Sequence, residues 1–73
     1  MSNPIISQKI KQLRIDRGLT QKEVYEKMGV SQSTFSSWEL GKSEPSALAF
    51  LKLCRIYGVS DILLEFTGDS LNN

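Results

Sequence analysis

Histidine is absent from this 73-residue chain, and cysteine occurs once, at Cys54. A lone thiol forms no internal disulfide, and without imidazole neither a structural zinc site nor a cysteine–histidine catalytic pair can be assembled. No apolar run approaches the roughly 20 residues that span a bilayer, and "MSNPIISQK" lacks the charged and apolar regions of a signal peptide. Charge of one sign is scarce too: nine Lys or Arg oppose eight Asp or Glu, a net charge of +1. No carboxylate pair, phosphate-cradling glycine loop or activated nucleophile can be read from the chain. The expectation is a soluble intracellular protein that is not an enzyme and uses no metal, cofactor, membrane or small-molecule substrate.

The charge is unevenly spread. Seven basic residues (Lys9, Lys11, Arg14, Arg17, Lys22, Lys27, Lys42) stand against Asp16, Glu23, Glu26 and Glu39 in residues 1 to 42. Beyond them Lys52 and Arg55 face Glu44, Asp61, Glu65 and Asp69. The chain is weakly polarised, with its basic part N-terminal, although a mixed solvated surface would look similar.

At this length the chain supports one domain near the lower limit for a core without staples. Period-2 alternation is missing, and the spacing predicts an all-α fold of five helices. Asn3 and Pro4 resemble a cap and a first-turn proline, and Ile6, Ile10 and Leu13 then recur at helical spacing until Gly18. In "TQKE" Thr20 can cap while Glu23 reaches back, and the helix carrying Val24 and Met28 stops at Gly29. Ser31 can cap a third helix that runs to about Leu40 before Gly41. Pro45 enforces an extended approach to a fourth, capped by Ser46 and running through Tyr57 to Gly58. Ser60 can cap a last short helix, "DILLEF". The expected domain covers residues 1–67, and residues 68–73 form a polar tail. Helices 2 and 3, separated only by "GVS", are too tightly linked for antiparallel packing and suit a helix-turn-helix crossing.

The third helix is unusual in composition. "SQSTFSSWEL" is rich in residues that favour caps and turns over helix interiors. On a helical wheel starting at Gln32, Ser36 falls at about 40°, Ser33 at about 100° and Ser37 at about 140°. Trp38 and Phe35 fall on the other side, at about 240° and about 300°. The aromatics can anchor the helix, which leaves a short, uncharged, hydrogen-bonding face. Lys, Glu, Ala or Arg would build a merely solvated face at lower cost in helix propensity. Small hydroxyls and an amide suit close approach to a major groove about 12 Å wide, where an amide pairs bidentately with adenine N6 and N7. An ordinary polar face is the competing reading of these residues taken alone.

The stretch "GLTQKEVYEKMGVSQSTFSSWELGKSEPS" closely resembles the helix-turn-helix of the Cro and lambda-repressor class, the XRE family. Gly18, Leu19, Thr20 and Gln21 match its opening, Gly29, Val30 and Ser31 its turn, Glu39 and Gly41 the end of its recognition helix, and Pro45 and Ser46 the segment that follows. The resemblance extends over about residues 6 to 65 and implies a five-helix DNA-binding domain, with helix 3 in the major groove and helix 2 across the backbone. By position it implies that Gln21 meets a phosphate, and that Gln32 and Ser33, with Ser37 one turn on, read bases. Ser31 lies at the same end of the helix, and Thr34, Lys42 and Ser43 would contact the backbone on either side. Arg14 and Glu39 match positions that commonly form an ion pair in the family. Four residues depart from it: Tyr25 replaces a small Ala, Trp38 and Tyr57 replace aliphatic residues, and Cys54 stands where Ala is preferred.

Helix 4 places Ala47, Phe50, Leu51, Cys54 and Tyr57 on a stripe wide enough to cover the core. Ala49, Leu53 and Ile56 fall on another. With Leu63, Leu64 and Phe66 the apolar side chains exceed what so small a domain readily buries. Leu53, Ile56, Leu63 and Phe66 are therefore the expected homodimer surface, and the expected partner is double-stranded DNA with a pseudo-palindromic operator. The resemblance implies a phage or bacterial repressor, cytoplasmic and acting on the nucleoid. An antitoxin, or the DNA-binding module of a longer regulator, shares these features. A helical protein-interaction module without DNA binding is the rival from another class.

Overall fold

The computed structural model describes residues 4–68, which contain five helices and no strand. They are α1 (Pro4–Asp16), α2 (Gln21–Met28), α3 (Gln32–Leu40), α4 (Ala47–Ile56) and α5 (Ile62–Thr67). Their boundaries follow from local chemistry. Thr20 Oγ1 accepts from the Glu23 amide at 3.1 Å while Glu23 Oε1 accepts from the Thr20 amide at 2.9 Å, closing the capping box that starts α2. Ser31 and Ser46 take the amides of Thr34 and Ala49 in the same way, each at 3.1 Å. At α5 the cap is Asp61, whose carboxylate accepts from the Leu64 amide at 3.0 Å. This corrects the expectation of Ser60. The expected Asn3 cap and residues 69–73 of the expected tail lie outside the described residues.

Helix ends are equally specific. Gly29 and Gly41 close α2 and α3 in the left-handed conformation, with φ of 73° and 75°. In each case the next amide bonds back to a carbonyl in the last turn, from Val30 to Tyr25 O at 3.1 Å and from Lys42 to Ser37 O at 3.0 Å. At Gly41 a side chain would be strained by the left-handed backbone and would also bring its Cβ to 3.2 Å from Ser7 Oγ, a tight contact.

The core draws on four helices: Ile10 and Leu13 from α1, Val24 and Met28 from α2, Phe35 and Trp38 from α3, and Leu53 with Tyr57 from α4 and its end. Phe35 and Trp38 meet edge to face at 6.0 Å, so the two anchors of α3 also support each other. Cys54 is buried as a free thiol, and burial pushes its pKa up. The Tyr25 ring packs half-buried against this core. Leu53 is fully buried, which corrects its assignment to a second surface, whereas Leu51 is 52% exposed and does not cover the core. The two residues lie on opposite sides of α4, and the side that packs on α2 and the shared core faces inward. Helix α5 buries no residue completely. It is attached by Phe66 edge-on to Phe50 at 4.9 Å and by a half-exposed Lys9–Glu65 ion pair of 2.9 Å.

Candidate nucleic-acid interface

Three residues, Gly29, Val30 and Ser31, separate α2 from α3. Gly29 supplies the left-handed step, Val30 packs against the core, and Ser31 is already the cap of α3. The turn is therefore pinned at each position, and α3 leaves it in one direction only.

A buried polar cluster sets that direction. The Glu39 side chain is only 2% exposed and Arg14 only 13%. Arg14 Nε donates to Glu39 Oε2 at 2.7 Å and Arg14 Nη2 to Oε1 at 3.2 Å, a bidentate pair. Gln21 Nε2 adds a third bond to Oε1 at 2.9 Å, and Arg14 Nη1 donates to Leu19 O at 3.0 Å. A carboxylate in the last turn of a helix opposes the helix dipole, and the three donors on Glu39 offset it. The same contacts hold the Arg14 guanidinium above its ordinary pKa, chiefly through the hydrogen bond to Glu39. One carboxylate thus joins α1, the start of α2 and the end of α3, fixing the crossing angle of the third helix.

The residues singled out from the sequence lie on the solvent-accessible part of α3. Gln32, Ser33 and Thr34 are exposed at its start, and Ser36 and Ser37 are half-buried one turn on. Ser31 Oγ donates to Thr34 Oγ1 at 2.9 Å and lies 3.2 Å from Ser33 Oγ, so the hydroxyls at this end form a local cluster. Among the described residues the Gln32 amide has no intramolecular hydrogen bond and is available to a partner. Lys42 and Ser43 follow Gly41 and are exposed. Gln21 also has a structural bond that the sequence did not suggest, one of its amide protons being committed to Glu39; its carbonyl oxygen and second N–H remain for an outside group.

Sequence reasoning missed three features. Leu40 is 64% exposed on the serine side of α3, a position the helical wheel would have shown. Arg17 Nε donates to Tyr57 O at 2.7 Å and so clamps the end of α4 to α1, a contact over 40 residues with no local signal. The Tyr57 hydroxyl is buried without a hydrogen-bond partner among the described residues, and burial together with the charge of Glu39 pushes its pKa well up. No group of His, Cys, Asp or Glu among the described residues could hold a metal ion, and no described helix is long and apolar enough to cross a membrane.

A turn of three residues between two short helices, with a solvent-facing polar third helix braced from behind, defines a helix-turn-helix domain of lambda-repressor-like form. The helix-turn-helix family model matches residues 10–64, and the chain belongs to that family, in its XRE branch. It is 36% identical over 69 residues to the cryptic phage CTXphi transcriptional repressor RstR of Vibrio cholerae, covering 94% of this chain and 60% of that protein. It is 35% identical over 65 residues to the uncharacterized HTH-type transcriptional regulator y4dJ of Sinorhizobium fredii, covering 89% and 84% of the two chains. Similarity to the SPbeta prophage-derived regulator YonR of Bacillus subtilis is 31% over 64 residues, 86% of this chain and 59% of YonR. This chain therefore spans about three fifths of two of these relatives. No solved structure matches it significantly.

Proposed function

We propose that this protein is a sequence-specific regulator of transcription, a repressor of phage or bacterial type that lays α3 in the major groove of double-stranded DNA. The observation that carries the reading is the small, uncharged face of α3 held at a fixed angle by the buried Arg14–Glu39–Gln21 cluster. Gln32, with its amide unengaged, is the base-reading residue best placed to pair with adenine, and Ser33 and Ser37 extend the reading surface. Gln21, Ser31, Thr34, Lys42 and Ser43 surround that surface and meet phosphates, which supply affinity without sequence information. The protein is not an enzyme and acts in the cytoplasm, on the nucleoid.

With a net charge of only +1, one copy binds weakly, and two copies on a pseudo-palindrome raise occupancy. The apolar surface that supports pairing is a groove of about 410 Å³ lined by Ile5, Ile6, Phe50, Ile62, Leu63 and Phe66. Leu63 and Phe66 remain from the expected dimer surface, Ile56 is half-buried against the core, and Leu53 is withdrawn from it. The same apolar surface is what favours a protein-interaction module as the second reading. The lengths of RstR and YonR are consistent with a DNA-binding module that also occurs in longer regulators.

Selection from a random duplex pool, with the protein at low and moderate salt, tests the proposal. The expected result is a motif repeated with two-fold symmetry at about one helical turn, bound more weakly as salt rises. Absence of any enriched sequence would refute it and favour the interaction module.

A further inference from the structure

Leu40 occupies an unexpected place. On the wheel that puts Gln32 at the origin, it falls at about 80°, between Ser36 at about 40° and Ser33 at about 100°. It is 64% exposed, whereas Phe35 and Trp38 on the other side of the same helix are buried. An exposed leucine by itself means little, because folded surfaces carry many apolar atoms. This one is the only branched aliphatic side chain on a face otherwise made of hydroxyls and an amide. Its backbone is also firmly held. Glu39 before it is fixed by Arg14 and Gln21, and Gly41 after it closes the helix with φ of 75°. Lys42, two residues on, provides an exposed cation at the same end.

Base edges in the major groove present donors, acceptors and one apolar group, the C5-methyl of thymine. Serine and glutamine satisfy the polar groups but offer the methyl nothing better than water does. Leucine does the opposite. We propose that Leu40 is a specificity-determining residue that reads thymine, packing its methyl groups against a thymine C5-methyl. It stands eight residues beyond Gln32, about 12 Å along the helix, so the base pair it reads is not the one read by Gln32 but lies in the same half-site. The inference rests on α3 being the reading helix and adds to it an apolar contact at its C-terminal end.

The test replaces each thymine of a selected site, one at a time, by deoxyuridine, which removes only the methyl group. Dissociation constants are then measured for the full chain and for Leu40→Ala. Burying one methyl-sized group is worth about 0.8 kcal/mol, or about fourfold in affinity. One thymine per half-site is expected to lose about fourfold on demethylation with the native chain and nothing with Leu40→Ala, so that the two changes are not additive. Because Leu40 is exposed, the variant keeps its fold, which circular dichroism verifies. If no thymine shows a Leu40-dependent loss, or if Leu40→Ala weakens all sequences alike, Leu40 does not read thymine and the proposal is overturned. Failure of the native chain to select any sequence would instead overturn the reading helix itself.

Discussion

Removing the Glu39 carboxylate strands a buried guanidinium. Arg14 is 13% exposed on its side chain and spends two of its nitrogens on Glu39, with Nη1 on Leu19 O. In Glu39→Ala the Arg14 charge keeps its desolvation cost and loses its bidentate partner, while Gln21 loses an acceptor. Breaking a pair of this kind from one side costs about 3–5 kcal/mol. A chain of this length has a total stability of about 4–11 kcal/mol, so the variant should lose roughly a quarter of it or more. At roughly 4–8 °C per kcal/mol the melting temperature should fall by at least about 12 °C. Urea unfolding followed by circular dichroism gives the loss directly. The half-exposed Lys9–Glu65 pair is the internal control, with Lys9→Ala expected to cost about 0–1 kcal/mol. Replacing both partners, Arg14→Met with Glu39→Leu, should recover most of the loss because no charge is left unpaired. A loss below about 1 kcal/mol in Glu39→Ala would refute the reasoning, since it would mean that the pair behaves like an exposed one.

Other substitutions probe separate parts of the fold. Tyr57→Phe removes a buried hydroxyl that has no described partner, so stability should be unchanged or slightly higher; a loss above about 1 kcal/mol would reveal a bond to that oxygen. Because burial raises the Tyr57 pKa, the unfolded phenol ionises first, so stability should decline as pH rises above the ordinary value of 10.0. That part of the decline should vanish in Tyr57→Phe, as unfolding curves at several alkaline pH values would register. Gly41→Ala should lose at least about 1–2 kcal/mol in denaturant unfolding, because it forces a left-handed residue and a 3.2 Å approach to Ser7 Oγ.

Much of the architecture was legible because local chemistry and global packing agree. Thr20, Ser31 and Ser46 begin helices that Gly29, Gly41 and Gly58 end or follow, and such signals depend only on neighbours a few residues away. The face of α4 was harder to read, since Leu51 and Leu53 are equally apolar and only the packing of α4 on α2 and the shared core selects Leu53. Likewise Ser60 and Asp61 can both cap, and the helix begins where Phe66 reaches Phe50. Of the bracing cluster, the pairing of Arg14 with Glu39 came from the family resemblance, because 25 residues separate them and no spacing rule connects them. The third member, Gln21, was read only as an outward-facing contact. Its bond to Glu39 depends on how the start of α2 meets the end of α3, a relation that emerges after packing.

The most direct test of the account is the binding of native and Gln32→Ala proteins to a selected site and to its single-base variants at fixed salt. The native chain should discriminate at one position of each half-site by about 1–3 kcal/mol in favour of adenine, the value of one good bidentate contact. Gln32→Ala should lose that preference while keeping the salt dependence contributed by phosphates. Equal discrimination by both proteins would contradict the assignment of Gln32, at the start of α3, as the residue that reads adenine.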